Sequence, residues 1–97
     1  MYKVILTRQV LKDAENMERV GLKRKAVGII SIIRQNPFQN PPSYEKLQRY
    51  KNTYSRRINI QHRLIYQVFP NEHNAVNSGG IAYQGIIKVI RMWTHYE

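Results

Sequence analysis

Three prolines, at 37, 41 and 42, lie within Asn36-Pro-Phe-Gln-Asn-Pro-Pro-Ser43 and forbid a helix through it. They divide the chain into parts with different hydrophobic periods. Before them, residues 2–7 are rich in Val and Ile and alternate weakly, which predicts a first strand. Thr7 then suits the N-cap of a helix in which Val10, Ala14 and Met17 share a face, with Leu11 beside them. Lys12, Asp13, Glu15, Glu18 and Arg19 are left for solvent. Gly21 fits the left-handed position that ends such a helix. A second helix is predicted from about Leu22 to Gln35, with Leu22, Ala26, Ile29, Ile30 and Ile33 as its apolar stripe. Its first residues, Lys23, Arg24 and Lys25, read as a solvated basic face.

After the prolines, Ser43 is expected to cap a short helical turn over Tyr44–Tyr50. Strands are predicted at about 54–60, 63–69 and 86–93. The Asn-, Ser- and Gly-rich stretch 70–85 reads as a long, mobile hairpin loop. The expected order is β-α-α-β-β-β with a short extra helix, an α+β fold. The helical hairpin should cover one face of a mainly antiparallel sheet and leave the other open.

With 97 residues the chain has room for one domain, spanning 1–97. Lys plus Arg number 16 and Asp plus Glu 6, giving a formal charge of +10. A domain this basic suits a polyanion, nucleic acid first and an acidic protein second. There is no cysteine, which excludes disulfides, thiol chemistry and Cys-bound zinc. The apolar run Val27–Ile33 is far too short to span a bilayer, so a cytoplasmic protein without membrane contact is expected.

Strand alternation sets candidate site residues on the open face. Ile58 and Ile60 should share one side, leaving Arg57 and Asn59 opposite. Leu64, Tyr66 and Val68 should share one side, leaving Arg63 opposite. Two guanidiniums on a rigid sheet can clamp one phosphate. His95, near the end of the last strand, has a side chain suited to protonating a leaving oxygen. Glu45 either stabilises a helix N-terminus or accepts a proton. His62 should face away from Arg63, and His73 sits in the loop without a clear signal. Acidic residues are few and none pairs with a histidine at ligand spacing, so neither a metal nor another cofactor is expected. Cleavage of RNA would then use its own 2′-hydroxyl as nucleophile.

The strings Asn36-Pro-Phe, Pro42-Ser-Tyr-Glu45-Lys-Leu47, Tyr54-Ser-Arg-Arg-Ile-Asn-Ile-Gln-His-Arg-Leu-Ile-Tyr66 and His95-Tyr96 resemble the Txe/YoeB toxins of the RelE superfamily, from bacterial toxin–antitoxin modules. The resemblance spans nearly the whole chain, with its specific part in the second half. It implies a RelE-like fold related to compact microbial ribonucleases. It also implies a ribosome-dependent, metal-independent endoribonuclease that cuts mRNA in the A site of the 70S ribosome and inhibits translation. By matching position, Glu45 would be the general base, His95 the general acid and Arg63 the stabiliser of the phosphorane-like transition state. Arg56, Arg57, Lys46 and Tyr96 would hold phosphate or RNA. The implied partner is a YefM/Phd-type antitoxin, with DNA contacted only through that complex, and a homodimer is compatible with the resemblance. Two other readings are a ParE-like toxin that blocks a target without cleaving RNA, and a degenerate toxin acting through antitoxin binding and autorepression. The loop between Gln67 and Ile86 is longer than is usual in such toxins, and Gln48–Thr53 lacks the glycines often found there.

Overall fold

The computed structural model describes residues 1–94. Among these the chain forms β1 (Lys3–Leu6), α1 (Arg8–Arg19), α2 (Lys23–Gln35), β2 (Glu45–Lys46), β3 (Thr53–Arg57), β4 (Arg63–Pro70) and β5 (Gly85–Thr94). The sheet order is β1-β5-β4-β3-β2. β1 runs parallel to β5, and the other pairs are antiparallel. The α+β class, the helical hairpin and the mainly antiparallel sheet are as expected from sequence.

Local chemistry explains the helix boundaries. The Thr7 hydroxyl accepts a hydrogen bond from the Val10 amide at 3.2 Å and starts α1. At its end Gly21 takes φ +76°. Its amide donates to Glu18 O, and the Leu22 amide donates to Met17 O at 2.8 Å. These are the two bonds of a Schellman cap, whose left-handed residue favours glycine. The chain then reverses directly into α2.

Val10 and Met17 of α1 and Ala26, Ile29 and Ile33 of α2 pack on Ile58, Leu64, Tyr66, Ile87, Val89 and Met92 from the sheet side. Each fully buried aliphatic side chain contributes about 1.5–3 kcal/mol from removal of apolar area from water. Asp13, expected to face solvent, is buried within this face instead. Its Oδ2 accepts from the Met92 amide and from Arg91 Nε, both at 3.0 Å, and its Oδ1 accepts from Gln9 at 3.0 Å. β1 stops pairing with β5 after Leu6↔Val89, so the Met92 amide lies on an unpaired strand edge that a carboxylate can satisfy.

Three expectations need correction. No short helix forms over Tyr44–Tyr50. Glu45 and Lys46 extend as β2 against Ser55 and Tyr54, and the Leu47 amide donates to Thr53 O at 2.9 Å. Inter-strand bonds to β3 satisfy this backbone better than one isolated turn would. β3 ends at Arg57, before Ile60, which is 85% exposed. Asn59 Oδ1 accepts from the amides of Gln61 and His62 and so closes a tight turn into β4. The stretch 70–85, expected as a mobile loop, carries its own hydrogen bonds. Val76 pairs with Ala82, Asn71 bonds Ala75 and Tyr83, and Asn77 accepts from Gly79 and Ile81. Gly85 begins β5 because a Cβ there would meet Phe69 O and the Tyr2 ring at 2.8 Å.

Candidate active site

The central strands carry two different faces. Tyr54, Arg56, Leu64 and Tyr66 turn toward the helices, and Ser55, Arg57 and Arg63 turn away. Cross-strand register then assembles the outward set. Glu45 lies opposite Ser55, and Arg57 lies opposite Arg63. With Ser43 and Tyr44 these residues line a groove of about 250 Å³. Arg63 Nη1 donates to the Ser55 hydroxyl at 3.2 Å, and Arg63 Nη2 lies 3.6 Å from Glu45 Oε1.

The Glu45–Arg63 pair is suited to chemistry more than to stability. Glu45 is 67% exposed, and ion pairs in such surroundings are worth about 0–1 kcal/mol. What the pair provides is placement: a proton acceptor beside a guanidinium that is held by Ser55 and presents further N–H groups to the groove. Arg57, exposed across from Arg63, adds a second positive charge. A phosphodiester entering here would meet two guanidiniums and one carboxylate.

Of the residues singled out in sequence, Glu45, Arg57 and Arg63 converge in this groove. His95 and Tyr96 lie outside the described residues, and β5 reaches Thr94, which pairs with Arg63. Lys46 does not line the groove; it pairs with Tyr54, whose ring faces the helix side. His62 turns away from Arg63, as expected, and stacks on Trp93 with ring centroids 4.2 Å apart. His73 lines a separate cleft beside Lys3, Phe69 and Ile86.

Arg56 requires a correction. Expected to hold phosphate, it is 1% exposed. Its Nε donates to Tyr66 Oη at 3.1 Å, Nη1 to Pro42 O at 2.6 Å, and Nη2 to Pro37 O at 3.0 Å and Gln39 O at 2.8 Å. The Tyr44 ring lies 5.0 Å from its central carbon. A guanidinium satisfied in this way has no face left for RNA. Burial pushes the Tyr66 phenol above its ordinary pKa, and the Arg56 hydrogen bond only partly offsets that. The phenol therefore keeps its proton and donates it to Pro37 O at 2.7 Å.

Ser55 and Tyr44 were not singled out in sequence. Ser55 had a usable signal, because it stands two residues before Arg57 on the same strand and so shares its face. Tyr44 had none, since its place depends on the path of the proline loop.

The geometry has counterparts among solved structures. A YoeB/ParE toxin from Agrobacterium tumefaciens superposes with a TM-score of 0.73 at 26% identity, over 97% of this chain and 99% of that one. The chain has the fold of the YoeB/RelE superfamily of toxins. A YoeB dimer from Staphylococcus aureus matches with a TM-score of 0.71 at 23% identity, over 98% of each chain. A YoeB–YefM complex from the same organism matches with a TM-score of 0.66 at 23% identity, over 99% of each. No family model matches the sequence, and no curated protein matches it. The resemblance carried by the Ser-Arg-Arg-Ile and His-Arg-Leu-Ile-Tyr strings is thus met in three dimensions.

Proposed function

We propose that this protein is the toxin of a type II toxin–antitoxin pair and acts as an endoribonuclease on mRNA in the ribosomal A site. The observation that carries this reading is the groove in which Glu45, Ser55, Arg57 and Arg63 converge on the open face of the sheet. Likeness to a YoeB/ParE toxin over nearly the whole chain supports the toxin role. The charge of +10 suits both an rRNA-rich surface and an acidic antitoxin.

In this mechanism the Glu45 carboxylate takes the proton of a ribose 2′-hydroxyl. The freed 2′-oxygen attacks the adjacent phosphorus, and the bond from phosphorus to the 5′-oxygen breaks. His95, the residue after Thr94 in sequence, gives its proton to that leaving oxygen. Arg63 stabilises the charge that builds on the phosphoryl oxygens, and Arg57 holds the phosphate. The products are a 2′,3′-cyclic phosphate, or the 3′-phosphate from its opening, and a 5′-hydroxyl end. The 2′-hydroxyl requirement restricts the reaction to RNA. Tyr96 orients the RNA. The partner is an antitoxin of the YefM type, as in the S. aureus complex, and DNA is reached only through it. Action on ribosomes puts the protein in the cytoplasm. Among the described residues no helix is long and apolar enough to cross a membrane.

Expression in bacteria without antitoxin tests the reading. Protein synthesis should stop first, with mRNA fragments bearing 5′-hydroxyl ends. Loss of DNA supercoiling ahead of translation, with intact mRNA, would favour a ParE-like toxin instead.

A further inference from the structure

We infer that Arg56 and Tyr66 form a buried latch that positions Glu45 across from Arg63; the role in catalysis rests on the nuclease reading above. Glu45 has little to hold it in place. β2 is two residues long, and so short a pairing is marginal by itself. The carboxylate is mostly exposed, and its ion pair with Arg63 is too weak to fix a backbone. On its far side the Leu47 amide donates to Thr53 O, and on its near side the anchor is the segment that feeds β2.

Arg56 supplies it. Its guanidinium bonds the carbonyls of Pro37, Gln39 and Pro42, so one side chain grips both ends and the middle of the proline loop. Tyr66 doubles the grip by accepting from Arg56 and donating to Pro37 O. Three residues beyond Pro42 the chain reaches Glu45. The rings of Phe38, Tyr44 and Tyr54 close around the latch, with centroids 5.2–6.0 Å apart. Arg56 forms no ion pair among the described residues. A buried cation balanced only by carbonyl dipoles, a neutral phenol and an aromatic face is an expensive way to fill a core, and an apolar side chain of that size often stabilises as well. Its distinctive product is geometry. A planar fork can bind three carbonyls in one fixed arrangement, which lysine cannot reproduce. The neighbours Arg56 and Arg57 thus divide the work. One organises the loop from the buried face, and the other lines the groove.

The test compares Arg56→Lys and Tyr66→Phe with wild type, alone and combined with Glu45→Gln. Tyr66→Phe keeps the ring and removes only the hydroxyl, so it guards against a failure of Arg56→Lys to fold. Amide hydrogen exchange is the first readout. Exchange at residues 44–47 should quicken at least about tenfold while β4, β5 and the helices keep their protection. Unchanged exchange at 44–47 in folded Tyr66→Phe would overturn the latch. Cleavage on programmed ribosomes is the second. Each latch variant should lower kcat by about 10- to 100-fold at unchanged KM, as small misplacement of a reacting group does. In the Glu45→Gln background the same substitutions should cost almost nothing further. Equal losses in both backgrounds would overturn positioning through Glu45. If wild type cleaves nothing, the nuclease reading fails, and hydrogen exchange still decides the latch.

Discussion

At the scale of single residues, Arg56 and Arg57 show how one position along a strand separates two roles. Arg57 turns outward beside Arg63, and Arg56 turns inward to bond its guanidinium to three carbonyl oxygens and a phenol. Because Glu45 is mostly exposed, Glu45→Gln should change stability by less than about 1 kcal/mol, while Arg63→Ala, which also removes the part-buried bond to Ser55, should cost about 1–2 kcal/mol. Cleavage should fall by about 100-fold or more in each, read as kcat/KM on ribosome-bound mRNA. A second residue-scale test concerns pH. Burial raises the Tyr66 phenol, so the unfolded chain loses this proton at lower pH than the native one. The contribution of Tyr66 to stability is then fully present below about pH 10 and is lost as pH rises through the native value. Denaturant unfolding should show the advantage of wild type over Tyr66→Phe shrinking above that pH. A constant difference would contradict the assignment.

At the scale of elements, both helices were legible because each carries a long apolar stripe, and Thr7 and Gly21 mark boundaries by chemistry that acts within a few residues. Ile33 is fully buried in the last turn of α2, at the end of its apolar stripe, so Ile33→Ala should cost about 2–5 kcal/mol in thermal or denaturant unfolding. Thr7→Ala should cost about 1 kcal/mol. β2 was not legible, because two residues show no period and Ser43 imitates a helix cap. The outward direction of Arg57 and Arg63 followed from alternation. The same rule, applied with Ile58 inward, also sends Arg56 inward, and the motif resemblance obscured this by grouping the two arginines. Asp13 was missed for a different reason. Its burial depends on where β1 stops pairing with β5, a tertiary fact with no local signature.

At the scale of the whole molecule, a basic chain presents a polar groove on one sheet face while the helical hairpin seals the other. A surface with this charge that docks on rRNA releases counterions, so affinity for ribosomes should fall steeply and log-linearly as salt rises from about 50 to 200 mM. A flat response in a binding titration would count against the basic surface as the docking face. The central claim is that the groove cuts RNA by acid–base chemistry between Glu45 and His95, with Arg63 holding the charge. The most direct measurement is cleavage of a defined mRNA by purified protein, free and on programmed 70S ribosomes, for wild type and His95→Ala. The expected result is a cut in the A site only when ribosomes are present, leaving a 5′-hydroxyl end, and its loss in His95→Ala. Wild-type protein that is folded and binds antitoxin but cuts under neither condition, or undiminished cutting by His95→Ala, would contradict it.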